Sequence, residues 1–139
     1  MAGGPISWSS RKQPITAMST TEAEYVAAAE AAKHAVWIRH FLFAIRKGHR
    51  GPTNLTFMGK EPTQLGIDNQ GALALASNPV NHFRSKHINV RYHAIRDFIE
   101  QGEIKAVYVP TDQMVADGLT KAARPDLMKR LVKALRLEE

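Results

Sequence analysis

The stretch from Ser19 to about Arg46 constrains this chain more than any other, because it holds neither Gly nor Pro and is rich in Ala. Ser19-Thr20-Thr21-Glu22 has the form of a capping box, a hydroxyl followed by Glu at the third helical position. Tyr25, Ala28, Ala32, Val36 and Phe43 contribute to one apolar stripe. Gly48 is the stop signal. A long helix is therefore predicted. With 139 residues the chain has room for one domain with a core and not for two, so a single domain over 1–139 is expected to assemble around that helix.

The remaining elements mix strands and helices. Ile6-Ser7-Trp8-Ser9-Ser10 alternates apolar and polar residues and reads as a short strand before the turn at Arg11 to Pro14. Residues 48–64 are rich in Gly, Pro, Thr and Asn and read as a loop, with Leu55 to Met58 as a candidate short strand inside it. Gln64 to Asp68 reads as a strand ending at Asp68, and Gly71 to Ser77 as a small helix halted by Asn78-Pro79. Ile88 to Gln101 reads as a helix with Ile88, Tyr92, Ile95 and Ile99 on one face, ended by Gly102. Ile104 to Val109 reads as a strand closed by Pro110, and Met114 to Ala122 as helical. After Pro125 an amphipathic helix carries Leu127, Leu131 and Leu135, with Lys129, Arg130, Lys133 and Arg136 on its other side. The pattern is that of an α/β domain, a mixed sheet flanked by helices. Trp8 and Trp37 are expected in the core.

Composition narrows the function classes. There is no Cys, which excludes disulfides and thiolate metal sites. No apolar run approaches the roughly 18 residues of a membrane span, and the N-terminus lacks the apolar core of a signal peptide. The expectation is no membrane and an intracellular location, in cytoplasm or nucleus. A net charge of +6 favours polyanionic partners.

Acidic residues are few, so their positions carry information. Asp68 closes a predicted strand, Asp117 lies in the apolar run Val-Ala-Asp-Gly-Leu, and Glu24 follows the capping Glu22. Three carboxylates on separate elements suit a divalent cation. Spacing alone favours a plainer reading, in which Asp68 caps the next helix, Glu22 completes a cap and Asp117 is solvated.

Seven runs, in order, alter that balance. They are Ile6-Ser7-Trp8-Ser9-Ser10-Arg11-Lys12-Gln13, Ser19-Thr20-Thr21-Glu22-Ala23-Glu24-Tyr25, Ile67-Asp68-Asn69-Gln70, Asn78-Pro79, Ser85-Lys86-His87-Ile88-Asn89-Val90-Arg91-Tyr92-His93, Tyr108-Val109-Pro110-Thr111 and Ala116-Asp117-Gly118-Leu119-Thr120-Lys121. Together they resemble the ribonuclease H domain of copia-type LTR retrotransposon polyproteins, over nearly the whole chain. The resemblance implies an RNase H-like fold that hydrolyses the RNA strand of RNA–DNA hybrids. In such domains four carboxylates hold two Mg²⁺ ions, one activating a water and the other stabilising the leaving 3′ oxygen. Glu24, Asp68 and Asp117 match the second, third and fourth carboxylates, and Glu22 is left to cap the helix.

One departure changes what is expected. Five residues precede Ile6, and the family's first strand, with the aspartate that bridges both metals, has no counterpart among them. The resemblance therefore implies an incomplete, N-terminally truncated RNase H-like fold, weak binding of a single Mg²⁺ at Glu24, Asp68 and Asp117, and little activity for the isolated chain. The histidine that many cellular ribonucleases H carry in the loop after Pro110 is also absent, as is usual in copia-type sequences. The vacant flank of the Asp68 strand calls for a partner: a homodimer formed by exchange of the Ile6 strand, or a strand supplied by another chain.

Between His82 and Arg96 basic residues alternate with aromatics. Arg84, Lys86, His87 and Arg91 are candidate contacts to a nucleic-acid backbone, with Arg96 continuing the ridge, and Asn69 and Gln70 join them beside Asp68. The alternative is a solvated helix face whose other side carries Ile88, Tyr92 and Ile95. Three His in the same stretch with no Cys do not make a zinc site. Besides an RNase H-type enzyme, two other functions fit: a non-catalytic nucleic-acid-binding remnant and a strand-accepting protein-interaction module.

Overall fold

The long helix forms as its sequence dictates. The computed structural model describes residues 5–47, 61–78, 93–119 and 125–136. Helix α1 spans Thr20–Lys47. The Glu22 backbone N–H donates to Ser19 Oγ at 3.1 Å, and Glu22 Oε2 accepts from the Met18 N–H at 2.8 Å. The first bond satisfies one backbone donor that the helix start leaves open, and the second ties the chain just ahead of the cap back to the first turn. Tyr25, Ala28, Ala32 and Val36 are buried as the periodicity requires, and Val26 and Ala29 join them.

The rest of the chain follows in the order β1 (Thr63–Ile67), α2 (Gln70–Ser77), α3 (Ala94–Glu100), β2 (Ile104–Tyr108), two 3-10 turns (Thr111–Gln113 and Val115–Leu119) and α4 (Pro125–Ala134). The α/β class is thus as expected. Strands β1 and β2 pair in parallel, in a register that sets Thr63 against Ile104 and Ile67 against Tyr108. Parallel strands need a long crossover between them, and the segment holding α2 and α3 provides it. Gly102 ends the α3 segment with φ of 71°, the left-handed region that glycine enters without steric cost.

The chain divides into two compact units. The larger, Ala17–Tyr108, holds α1, α2, α3 and the sheet. Helix α1 packs against α2, α3 and β1. Arg39 ties α1 to the start of β1, donating to the Glu61 carbonyl at 3.0 Å and to Thr63 Oγ1 at 3.2 Å. His40 Nε2 meets Glu103 Oε2 at 3.0 Å, ahead of β2. Tyr25, Ile95, Ile104 and Val26 are its largest fully buried side chains. In the smaller unit, Pro125 opens α4, where its missing N–H costs nothing. Leu131 is buried, and the leucine packs so near Gly118 that a Cβ there would stand 3.1 Å from its Cδ2.

Several sequence expectations are corrected. Ile6 to Ser10 forms no strand; Ile6 is 54% exposed and Trp8 75%. Alternation alone does not make a strand when no neighbour supplies hydrogen bonds. Trp37 is 63% exposed, since it lies one residue past buried Val36 and so about 100° round the helix. The helix expected over Met114 to Ala122 is, in the part of that range that the structure describes, one 3-10 turn over Val115–Leu119. Among the described residues the sheet is wholly parallel rather than mixed. The candidate strand at Leu55 to Met58, and Ile88 to Tyr92 of the second long helix, lie outside the described residues.

Candidate metal and nucleic-acid site

The carboxyl end of a parallel strand is where open α/β sheets place their ligands, and Asp68 stands there, directly after β1 and half-buried. Its expected duty as a helix cap falls instead to its neighbour. Asn69 is the N-cap of α2, and its Oδ1 accepts from the Ala72 N–H at 2.9 Å. The Thr21 hydroxyl also reaches Asn69 Oδ1, at 3.4 Å, so the first turn of α1 is fastened beside Asp68. Gly71 permits this approach: a Cβ there would lie 3.0 Å from both Thr21 Cγ2 and Oγ1 and 3.1 Å from Asn69 Oδ1. Asp68 itself makes no hydrogen bond or ion pair among the described residues.

The two glutamates of α1 separate by environment. Glu22 is 5% exposed and committed to the cap. Glu24, two residues on, faces solvent. Asp117 is half-buried in the second 3-10 turn of the smaller unit. Among the described residues no three His, Asp or Glu side chains are gathered closely enough to hold a metal ion. The hard carboxylate oxygens of Glu24, Asp68 and Asp117 suit Mg²⁺ in kind.

Of the nucleic-acid candidates, Arg84, Lys86, His87 and Arg91 lie outside the described residues. Gln70 is exposed, whereas the Asn69 carbonyl oxygen is taken up by capping. Arg96 is not part of a surface ridge. It is 9% exposed, and its Nε donates to the Leu75 carbonyl at 2.9 Å. Sequence reasoning missed this structural use because the partner lies 21 residues away. It also missed Tyr25, whose hydroxyl is hydrogen-bonded to His93 Nδ1 at 3.0 Å. Burial pushes the Tyr25 phenol above its ordinary value of 10.0; the Arg96 charge opposes that rise and the Asp97 charge adds to it.

No family model matches the chain, and no solved structure does either. Curated proteins do. It is 39% identical over 134 residues, 94% of its length, to the retrovirus-related Pol polyprotein from transposon TNT 1-94 of Nicotiana tabacum. It is 40% identical over 117 residues, 84% of its length, to the retrovirus-related Pol polyproteins from transposons RE2 and RE1 of Arabidopsis thaliana. The chain is homologous to a segment of transposon Pol polyproteins. The matched stretch spans 9% of the tobacco Pol protein and 7% of each Arabidopsis one. For this Pol-related chain, no helix among the described residues is long and apolar enough to cross a membrane.

Proposed function

We propose that this Pol-related chain is the ribonuclease H-like segment of a retroelement polyprotein and works on RNA–DNA hybrids. The observation that carries the reading is the identity to Pol polyproteins over 94% of the chain. Asp68 supports it, standing at the carboxyl end of β1 with the capping duty transferred to Asn69. In this reading Glu24, Asp68 and Asp117 are the metal-holding carboxylates. Arg84, Lys86, His87 and Arg91 contact the nucleic-acid backbone, and Asn69 and Gln70 lie beside the scissile region. Mg²⁺ is the cation that fits hard oxygen donors; when bound, it would lower the charge barrier at the reacting phosphate. The reading requires these three side chains to draw together around the ion, because among the described residues no three such groups are gathered. A site of three carboxylates rather than four supports little cleavage of hybrid.

A second reading keeps the fold and assigns it a binding role. Among the described residues no strand pairs with the other edge of β1. An unpaired edge accepts a strand from a partner.

Hybrid binding tests the proposal. A hybrid duplex should bind with an affinity that falls steeply between low and moderate salt, as phosphate contacts release counterions. Reversing charge at Arg84, Lys86 and Arg91 together should weaken binding and flatten the salt slope by about 3. Binding that ignores salt, or ignores the triple reversal, contradicts the assignment.

A further inference from the structure

The face of α1 turned away from the core carries a pattern that the larger unit does not use. Ala27, Ala31, His34, Ile38, Phe41 and Ile45 follow one another at alternating steps of four and three residues. That is the a/d spacing of a coiled-coil seam. Phe41 is 50% and Ile45 63% exposed; Ala27, Ala31 and His34 are also exposed, and Ile38 is half-buried. The core-facing residues Tyr25, Ala29, Ala32 and Val36 lie on the other side of the helix. Beside the seam, Trp37 stacks on Phe41 with ring centroids 5.3 Å apart and planes 7° from parallel. The stack is thus pre-ordered, which reduces the entropy lost when it is covered.

We infer that this face is the interface of a homodimer in which two α1 helices pair antiparallel. Two properties of the helix select a second copy as occupant. The first is charge. Apart from Glu22 and Arg39, which are engaged in the cap and at the start of β1, residues 20–32 contain Glu24 and Glu30 and no Lys or Arg, whereas residues 33–47 contain Lys33, Arg46 and Lys47 and no Asp or Glu; Glu30 and Lys33 also pair with each other at 2.9 Å. Antiparallel pairing sets each acidic half beside a basic half and opposes the two helix dipoles. Parallel pairing would align like with like. The second is size. A two-fold axis beside residue 36 brings Ala27 against Ile45, Ala31 against Phe41 and His34 against Ile38. In the outer layers small residues of one copy then receive large residues of the other. Trp37 meets its symmetry mate next to the axis.

The area is that of a modest dimer. Taking about 200 Å² per large side chain, Trp37, Phe41 and Ile45 leave roughly 350 Å² open on each copy at exposures of 63%, 50% and 63%. Two copies with their alanines and neighbours approach about 1,200 Å², the lower limit of specific interfaces. Association on the order of micromolar to tens of micromolar is the expected range. The pairing needs neither the Ile6 segment nor the proposed nuclease role.

Cysteine cross-linking tests register and occupant together, because the chain has no Cys of its own. An equimolar mixture of Ala31→Cys and Phe41→Cys chains should form disulfide-linked heterodimers, and so should Ala27→Cys with Ile45→Cys. Each variant oxidised alone should cross-link at least tenfold less. Sedimentation equilibrium of the unaltered chain should show a dimer, and Phe41→Ser should weaken it at least tenfold with the helical circular dichroism unchanged. Self-linking of Ala31→Cys in preference to the mixture would mean parallel pairing and overturn the proposal. A chain that stays monomeric at high micromolar concentration, with no cross-link in any mixture, would overturn it too and assign the face to a different partner.

Discussion

Replacing Gly71 with Ala tests how tightly the first turn of α1 is fastened beside Asp68. In an ordinary helix Gly→Ala stabilises by roughly 0.5–1 kcal/mol, through backbone entropy. Here the new methyl would stand 3.0 Å from two atoms of Thr21 and 3.1 Å from Asn69 Oδ1. Thr21 is held in the first turn of α1, and Asn69 is held by its bond to the Ala72 N–H. Overpacking of this kind costs about 1–3 kcal/mol, and displacing Asn69 from its cap adds about 1 kcal/mol. The penalties exceed the gain, so G71A should destabilise the larger unit by about 1–3 kcal/mol in urea denaturation followed by circular dichroism. Thr21→Ala removes the nearest obstacle, so T21A/G71A should be more stable than the two separate effects predict, by about 1 kcal/mol of coupling. G71A that stabilises like a free helical glycine, or a double mutant that is simply additive, would refute the close approach of α1 and α2.

Other outcomes follow from the same structure. Glu22→Ala removes the acceptor for the Met18 N–H and half of the capping box, and should cost about 1 kcal/mol by urea denaturation. Tyr25 is neutral in the fold and its phenol is held above 10.0 chiefly by burial. A raised folded value stabilises below the unfolded one and loses that contribution as pH climbs through the folded one. Stability should therefore fall above about pH 10, and Tyr25→Phe should flatten that fall in pH-dependent melting. Leu131→Ala empties the buried contact with the Gly118 turn and should destabilise α4 by about 2 kcal/mol or more, read as loss of protection in amide hydrogen exchange.

What was legible in the sequence was what local chemistry decides. The Ser19–Glu22 cap, the buried stripe through Tyr25 and Val36, the stop at Gly102 and the two apolar strands each depend on residues within a turn or on strand composition, and all are present. The errors fall where a distant partner or a one-residue shift decides. Asp and Asn both cap helices well, and β1 ends at Ile67, so Asn69 rather than Asp68 occupies the cap. Arg96 looked like surface charge until its guanidinium met the Leu75 carbonyl. Trp37 looked like core because of its size, although its phase on α1 puts it beside the exposed seam. Glu24, Asp68 and Asp117 stood out by position among few acidic residues, but only the resemblance to a family gave them catalytic roles.

The proposal that Glu24, Asp68 and Asp117 form one weak cation site is addressed most directly by Mn²⁺ titration followed by NMR line broadening. The account predicts that amide signals around Glu24, Asp68 and Asp117 broaden together as Mn²⁺ is added, that excess Mg²⁺ reverses the effect, and that Asp68→Asn abolishes it while the fold stays intact. Broadening centred on other carboxylates, or unchanged by Asp68→Asn, would contradict the account.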